Sequence, residues 1–137
     1  MNHDIDFFRL YDWVWHLGRS DSLRTLNTEI AILGGGPVGY VTALRATQLG
    51  AEVTLIEENT LGGVCLNVAC IPTKTLLSTS HIFAGIYSAK EHGIYCELEG
   101  IDWAKAVARK DRAVRSLGIG LEQLLQARKN TVASGSG

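Results

Sequence analysis

A chain of 137 residues with 46% hydrophobic and 20% charged residues suits one soluble globular domain and is too polar for a fibrous or membrane class. Its net charge of −1 supplies neither a basic stripe for a phosphate backbone nor a charge block of the kind found in interaction tails, which argues against nucleic acid as a partner. No apolar run approaches the ~20 residues of a membrane helix and no basic segment leads into one at the N-terminus, so no membrane association and a cytoplasmic location are expected.

In chain order, residues 1–27 place Phe7, Phe8, Tyr11, Trp13 and Trp15 among Asp4, Arg9 and Asp12, followed by Gly18, Ser20 and Ser22. They read as a short helix and a linker, an N-terminal extension that packs on a neighbouring surface or stays poorly ordered, and they receive no chemistry. Residues 28–137 read as one domain. The apolar run Ile30-Ala31-Ile32-Leu33 predicts a strand buried on both faces, as in a parallel sheet. A helix is predicted over Val38–Leu49, closed by Gly50, and a second strand over Val53–Ile56, which completes a βαβ unit. The C-terminal ends of both strands then lie at one edge of the sheet, where ligands bind in such folds.

After Gly62-Gly63, helical spacing of Leu66, Leu76, Leu77, Ile82, Phe83 and Ile86 predicts one long helix from about Cys65 to Ala89, with Pro72 tolerated through a local distortion. Asp102 is placed as the N-cap of a further helix. Its apolar stripe includes Trp103, Val107, Val114, Leu117, Leu121 and Leu124, opposite Lys105, Arg109 and Arg112. Thr131 to Ser134 read as a third strand. The fold class is therefore α/β, a parallel sheet with helices on both faces.

Two motifs carry chemistry. Gly34-Gly35-Gly36-Pro37-Val38-Gly39 fits G-x-G-x-x-G between a strand and a helix: Gly34 for a tight turn, Gly36 for backbone approach to a pyrophosphate, Gly39 for close helix packing. The pyrophosphate would meet free N–H groups at the positive end of the helix dipole. Glu57 ends the second strand, eighteen residues past Gly39, where a carboxylate accepts hydrogen bonds from the two ribose hydroxyls of an adenosine. The second motif is Cys65 and Cys70, five residues apart at a helix entrance. Three cysteines without a secretory signal favour catalytic over structural roles. Five residues of ideal helix rise ~7.5 Å and separate the side chains by about 140°, so this pair closes into a disulfide only if the first turn is distorted. Once reduced, a thiol at a helix N-terminus has a lowered pKa. A zinc half-site finds no second cysteine or histidine pair at ligand spacing. Cys96 has no partner at useful spacing, and His3, His16, His81 and His92 match no catalytic motif.

Together, GGGPVG, the strand ending in Glu57, and LGGVCLNVACIPTK resemble the N-terminal, FAD-binding portion of the pyridine nucleotide–disulfide oxidoreductases, with CLNxxCIPTK closest to their dihydrolipoamide dehydrogenase branch. The resemblance runs from about Glu29 to Gly137, includes the DWAKAVARKDRAV segment and leaves out residues 1–27. Ala69 departs from it, standing where the family usually has glycine. The resemblance implies a Rossmann-like FAD domain with a redox-active Cys65–Cys70 disulfide. Dihydrolipoamide thiolate would attack Cys65 and release Cys70 toward the flavin, and NAD would collect the electrons. It also implies that Gly34, Gly36, Pro37, Gly39, Glu57, Gly63, Lys74 and Gly137 bind the cofactor. The implied partners are a lipoyl carrier domain of a 2-oxo acid dehydrogenase complex or of the glycine cleavage system, and a second subunit in a homodimer. The family's NAD domain and its interface domain with a His-Glu pair have no counterpart here, so the chain is expected to be truncated and inactive alone. The alternatives at this point are a stand-alone FAD-binding or thiol-redox module and another family member such as mercuric or glutathione reductase, against which Leu66 and Ile71-Pro72-Thr73 lean.

Overall fold

The computed structural model of the chain describes residues 25–136. The reading of residues 1–27 as an N-terminal extension lies, up to residue 24, outside the described residues, as does that of Gly137 as a cofactor contact. The elements run β1 (Ile30–Leu33), α1 (Pro37–Gln48), β2 (Val53–Glu57), α2 (Gly63–Asn67), α3 (Cys70–Ser88), a short 3-10 turn (Ala89–His92), α4 (Trp103–Ala127) and β3 (Thr131–Ser134).

The strands form a parallel sheet in the order β1-β2-β3, with Ile32 beside Leu55 and Leu55 beside Val132. Parallel pairing follows from the crossover helices, which return the chain to the same end of the sheet each time. Alternate residues of β2 point to one face, and Val53 and Leu55 there meet Ala43 of α1 and Leu121 and Leu125 of α4 in the core. Leu55 and Leu125 are fully buried. The α/β parallel sheet is as expected from the sequence. The helices expected on both faces instead share one face among the described residues, because both crossovers step in the same direction across the sheet.

A second difference concerns β1. Its apolar run predicts burial on both faces, yet Leu33 is 64% exposed and Ile30 38%. Among the described residues β1 pairs on one side only and adds only Ile32 to the core. The third difference is the break of the single helix expected over residues 65–89. Val68 and Ala69 leave helical geometry (φ −123° and −113°), and α3 restarts at Cys70. Pro72 is the reason: it has no N–H to offer the carbonyl four residues back, and in the first turn of α3 that donor is not needed.

The helix ends are built locally. Gly50, at φ +96°, closes α1 as its Gly50 N–H donates to the Thr47 carbonyl (3.0 Å) and the Ala51 N–H to that of Ala46 (3.2 Å). Asp102 caps α4 as predicted, its carboxylate accepting from the Lys105 N–H at 3.0 Å. The other end of α4 uses the same closing motif as α1, but with Lys129 at φ +59° in place of a glycine. Two contacts join α3 to α4 and α1 to the turn before β3. The Arg109 guanidinium donates to the Thr75 carbonyl (3.2 Å), and the Thr47 hydroxyl donates to the side-chain oxygen of buried Asn130 (2.8 Å).

Candidate functional site

The C-terminal edge of the sheet gathers the glycine loop, Glu57 and the Gly62-Gly63 turn. Gly34 has φ +93°, a conformation a side chain disfavours, and its N–H extends the β ladder to the Ile56 carbonyl at 2.8 Å. Gly39 sits so close under Gly34 that a Cβ there would overlap the Gly34 carbonyl oxygen, which is the close packing expected of that position. At Gly36 a Cβ would meet nothing within 4 Å. The backbone there faces open space at the start of α1, whose N-terminus has neither a side-chain cap nor an acidic residue in its first turn. Pro37 occupies the first helical position, where its missing N–H costs nothing.

Glu57 joins this loop directly. One carboxylate oxygen accepts from the Gly35 N–H at 2.6 Å and the other from the Asn59 N–H at 2.9 Å. The Asn59 bond, then the Gly35 bond, hold its pKa below the usual carboxylate range, so the group is anionic at neutral pH. Its neighbour Glu58 is exposed. The Glu57 carbonyl accepts from the Gly135 N–H at 3.1 Å, which brings the segment after β3 alongside.

Cys65 and Cys70 form a disulfide that bridges α2 and α3, with Cα atoms 4.7 Å apart. This is well short of the ~7.5 Å rise of five helical residues, and the break at Val68-Ala69 supplies the distortion the sequence required. The Ala69 N–H reaches the Val64 carbonyl at 2.8 Å, five residues back, which takes up the extra residue. Cys70 is the first residue of the 19-residue α3, whose N-terminus has no side-chain cap. A thiolate formed there would face the positive end of the helix dipole. Cys65 also lines a mostly apolar cavity of about 350 Å³ with Tyr40, Leu66, Ile71, Leu117 and Leu121.

The two motifs meet at Gly62-Gly63. The Gly62 N–H donates to the Gly35 carbonyl at 2.8 Å, and a Cβ on Gly63 would stand 2.9 Å from the Gly36 Cα. The disulfide helix is thereby seated on the glycine loop. Lys74 lies one turn beyond Cys70 on α3 and is exposed, with no hydrogen bond or ion pair to the other candidate residues among those described. His81, on α3, and His92 are exposed and stand apart from the site, as does the free thiol of Cys96. No three metal-ligating side chains come together among the described residues.

One residue of the site escaped the reading of the sequence. The Asn67 side-chain amide donates to the Gly63 carbonyl at 2.9 Å and the Leu61 carbonyl at 3.0 Å, with the Thr60 carbonyl at 3.5 Å. The only local signal was its position four residues after Gly63, where an asparagine on a short helix can bond back to a carbonyl.

These residues suit a dinucleotide cofactor on geometry. The space a Gly36 side chain would fill is open, the adjoining helix end is uncapped, and an ionised carboxylate stands at the end of β2.

Comparison with known proteins agrees with this arrangement. Dihydrolipoyl dehydrogenase of Geobacillus stearothermophilus is 46% identical over 110 residues, covering 80% of this chain and 23% of the relative. Leghemoglobin reductase of Vigna unguiculata is 44% identical over 111 residues, 80% of this chain and 21% of the relative. The crystal structure of LpdA from Mycobacterium tuberculosis superposes with a TM-score of 0.73 at 26% identity, over 80% of this chain and 24% of that one. The chain thus spans less than a quarter of the length of these relatives. The sequence profile described as pyridine nucleotide-disulphide oxidoreductase matches residues 28–137, the span that holds the glycine loop, Glu57 and the cysteine pair. With a glycine loop seated against a helix-bridging disulfide, the chain belongs to the pyridine nucleotide-disulphide oxidoreductase family.

Proposed function

We propose that this chain is the FAD-binding, dithiol-exchanging part of a dihydrolipoyl dehydrogenase. The observation that carries the reading is the contact between the two motifs: the turn before Cys65 is hydrogen-bonded to the turn that would hold a pyrophosphate. A dinucleotide bound on Gly34, Gly36, Pro37 and Gly39 would lie beside the disulfide. Glu57 would take the adenosine ribose, with Gly63, Lys74 and Gly137 as further contacts.

The chain's own part in the reaction is thiol–disulfide exchange. A thiolate of the dithiol substrate attacks the Cys65 sulfur, and Cys70 leaves as a thiolate stabilised at the N-terminus of α3. The substrate's second thiol gives up its proton and attacks the mixed disulfide. Cys65 leaves as a thiol and the substrate as a cyclic disulfide, so two electrons have passed from the dithiol to the cysteine pair. Bound FAD supplies the acceptor for those electrons and their onward transfer to NAD. By likeness to the dihydrolipoyl dehydrogenases, the substrate is dihydrolipoamide on a carrier domain of a 2-oxo acid dehydrogenase complex or the glycine cleavage system. The working assembly is a homodimer in the cytoplasm. No helix among the described residues is long and apolar enough to cross a membrane.

The test is an absorption spectrum of the purified chain with FAD, before and after one equivalent of dithiol. Bound flavin with a long-wavelength thiolate-to-flavin band that disappears in Cys70→Ser is the expected result. A folded chain that leaves FAD in solution, or binds it and shows no such band, refutes the reading.

A further inference from the structure

We propose that Asn67 is a positioning residue that keeps the helix of the outer cysteine seated on the glycine loop while the Cys65–Cys70 bond is open; this rests on the redox reading of that pair. The helix concerned, α2, has five residues and is too short to persist by itself. In the oxidised chain the disulfide fastens it to α3. Reduction removes that tie: the S–S bond breaks as two electrons and two protons arrive from a dithiol, whose own sulfurs join.

Beside the packing of Leu66 against the core, the side-chain amide of Asn67 then holds the helix to the turn before it. Both of its N–H groups are engaged, by the Gly63 carbonyl at 2.9 Å and the Leu61 carbonyl at 3.0 Å. The Gly63 carbonyl is at the start of α2 itself, whereas the Leu61 carbonyl belongs to the turn that is bonded to the glycine loop through Gly62 and Gly35, and Gly35 in turn donates to Glu57. A continuous line of hydrogen bonds therefore runs from the Glu57 carboxylate to the helix of Cys65, and Asn67 is its last link. The Leu66 N–H bond to the Gly62 carbonyl, at 3.2 Å, is the other tie at that end.

Two side-chain bonds whose loss the oxidised chain must bear in full, and whose loss the reduced chain relieves by releasing α2, make a redox-dependent signature. In Asn67→Leu, which keeps the branching and has no donor, the oxidised chain must still hold α2 in place through its disulfide, whereas the reduced chain can release it. Reduction becomes easier. The midpoint of the pair against dithiothreitol redox buffers is expected to shift to a less negative potential. The exchange equilibrium changes about tenfold, the equivalent of one hydrogen bond, which is about 30 mV for a two-electron couple. Alkylation of Cys65 by iodoacetamide in the reduced chain, read in a Cys96→Ser background, is expected to accelerate by a similar factor.

A variant that melts at a lower temperature in both redox states, with midpoint and alkylation rate unchanged, overturns the proposal and leaves the proposed function standing. A parent chain whose disulfide never exchanges with dithiol overturns both. If Asn67→Leu does not fold, amide exchange in the unaltered chain decides: protection of the Leu66 and Val68 amides that survives reduction supports the assignment, and its loss on reduction overturns it.

Discussion

Replacing single glycines of the Gly34–Gly39 loop by alanine separates what the fold needs from what the ligand needs. At Gly39 the added Cβ overlaps the Gly34 carbonyl oxygen and stands 2.9 Å from its carbon. Both are backbone atoms, so no rotamer change relieves the clash, and α1 must move off β1 or the turn must open. Overpacking of this kind costs about 2–3 kcal/mol. In a domain of this size that lowers the Tm by about 10–20 °C. At Gly36 the same methyl group meets nothing within 4 Å, and φ is −72°, ordinary for alanine. There the smaller entropy of the unfolded chain, about 0.4–1 kcal/mol, offsets the poorer N-cap, and stability changes by less than ~0.5 kcal/mol. The methyl group does stand where a pyrophosphate would approach. Thermal unfolding followed by circular dichroism and FAD titration followed by flavin fluorescence read the two effects independently. The expectation is a destabilised Gly39→Ala chain, and a Gly36→Ala chain of unchanged Tm whose FAD affinity falls at least about tenfold. Equal losses of Tm in the two variants, or unweakened FAD binding by Gly36→Ala, would refute the division of roles.

Glu57 makes stability depend on pH. Its folded pKa is depressed, so its contribution is complete above the ordinary carboxylate range and is lost as pH falls through the depressed value. Two bonds to a half-buried carboxylate, discounted for solvent, amount to about 1 kcal/mol, and Glu57→Gln should flatten the acid limb of a Tm-against-pH profile. Lys129 closes α4 at φ +59°, so Lys129→Gly should stabilise the chain by about 0.5–1 kcal/mol, seen as a higher urea midpoint with unchanged slope. Leu125 is fully buried between α4 and the sheet, and Leu125→Ala should cost about 3 kcal/mol in the same assay.

Features that depend on neighbouring residues were legible in the sequence. The strands over residues 30–33 and 131–134, the Gly50 stop and the Asp102 cap follow from hydrophobic runs and capping chemistry that act within a turn or two. The glycine loop and the cysteine pair were legible for the same reason, since backbone sterics and helix geometry dictate what such spacings can form. The requirement for a distorted turn between Cys65 and Cys70 followed from the rise of a helix, but its place at Val68-Ala69, which puts Pro72 in the first turn of α3, is seen only in the structure. Three things were decided by the tertiary structure alone. The two main helices share a sheet face because successive crossovers step the same way; β1 stays exposed because it pairs on one side. The bonds of Glu57 to Gly35 and of Asn67 to the Leu61 carbonyl join separate elements through single side chains. Periodicity and spacing record which face a residue takes within its own element, whereas the partner of a polar side chain depends on where the sheet brings the other elements to rest.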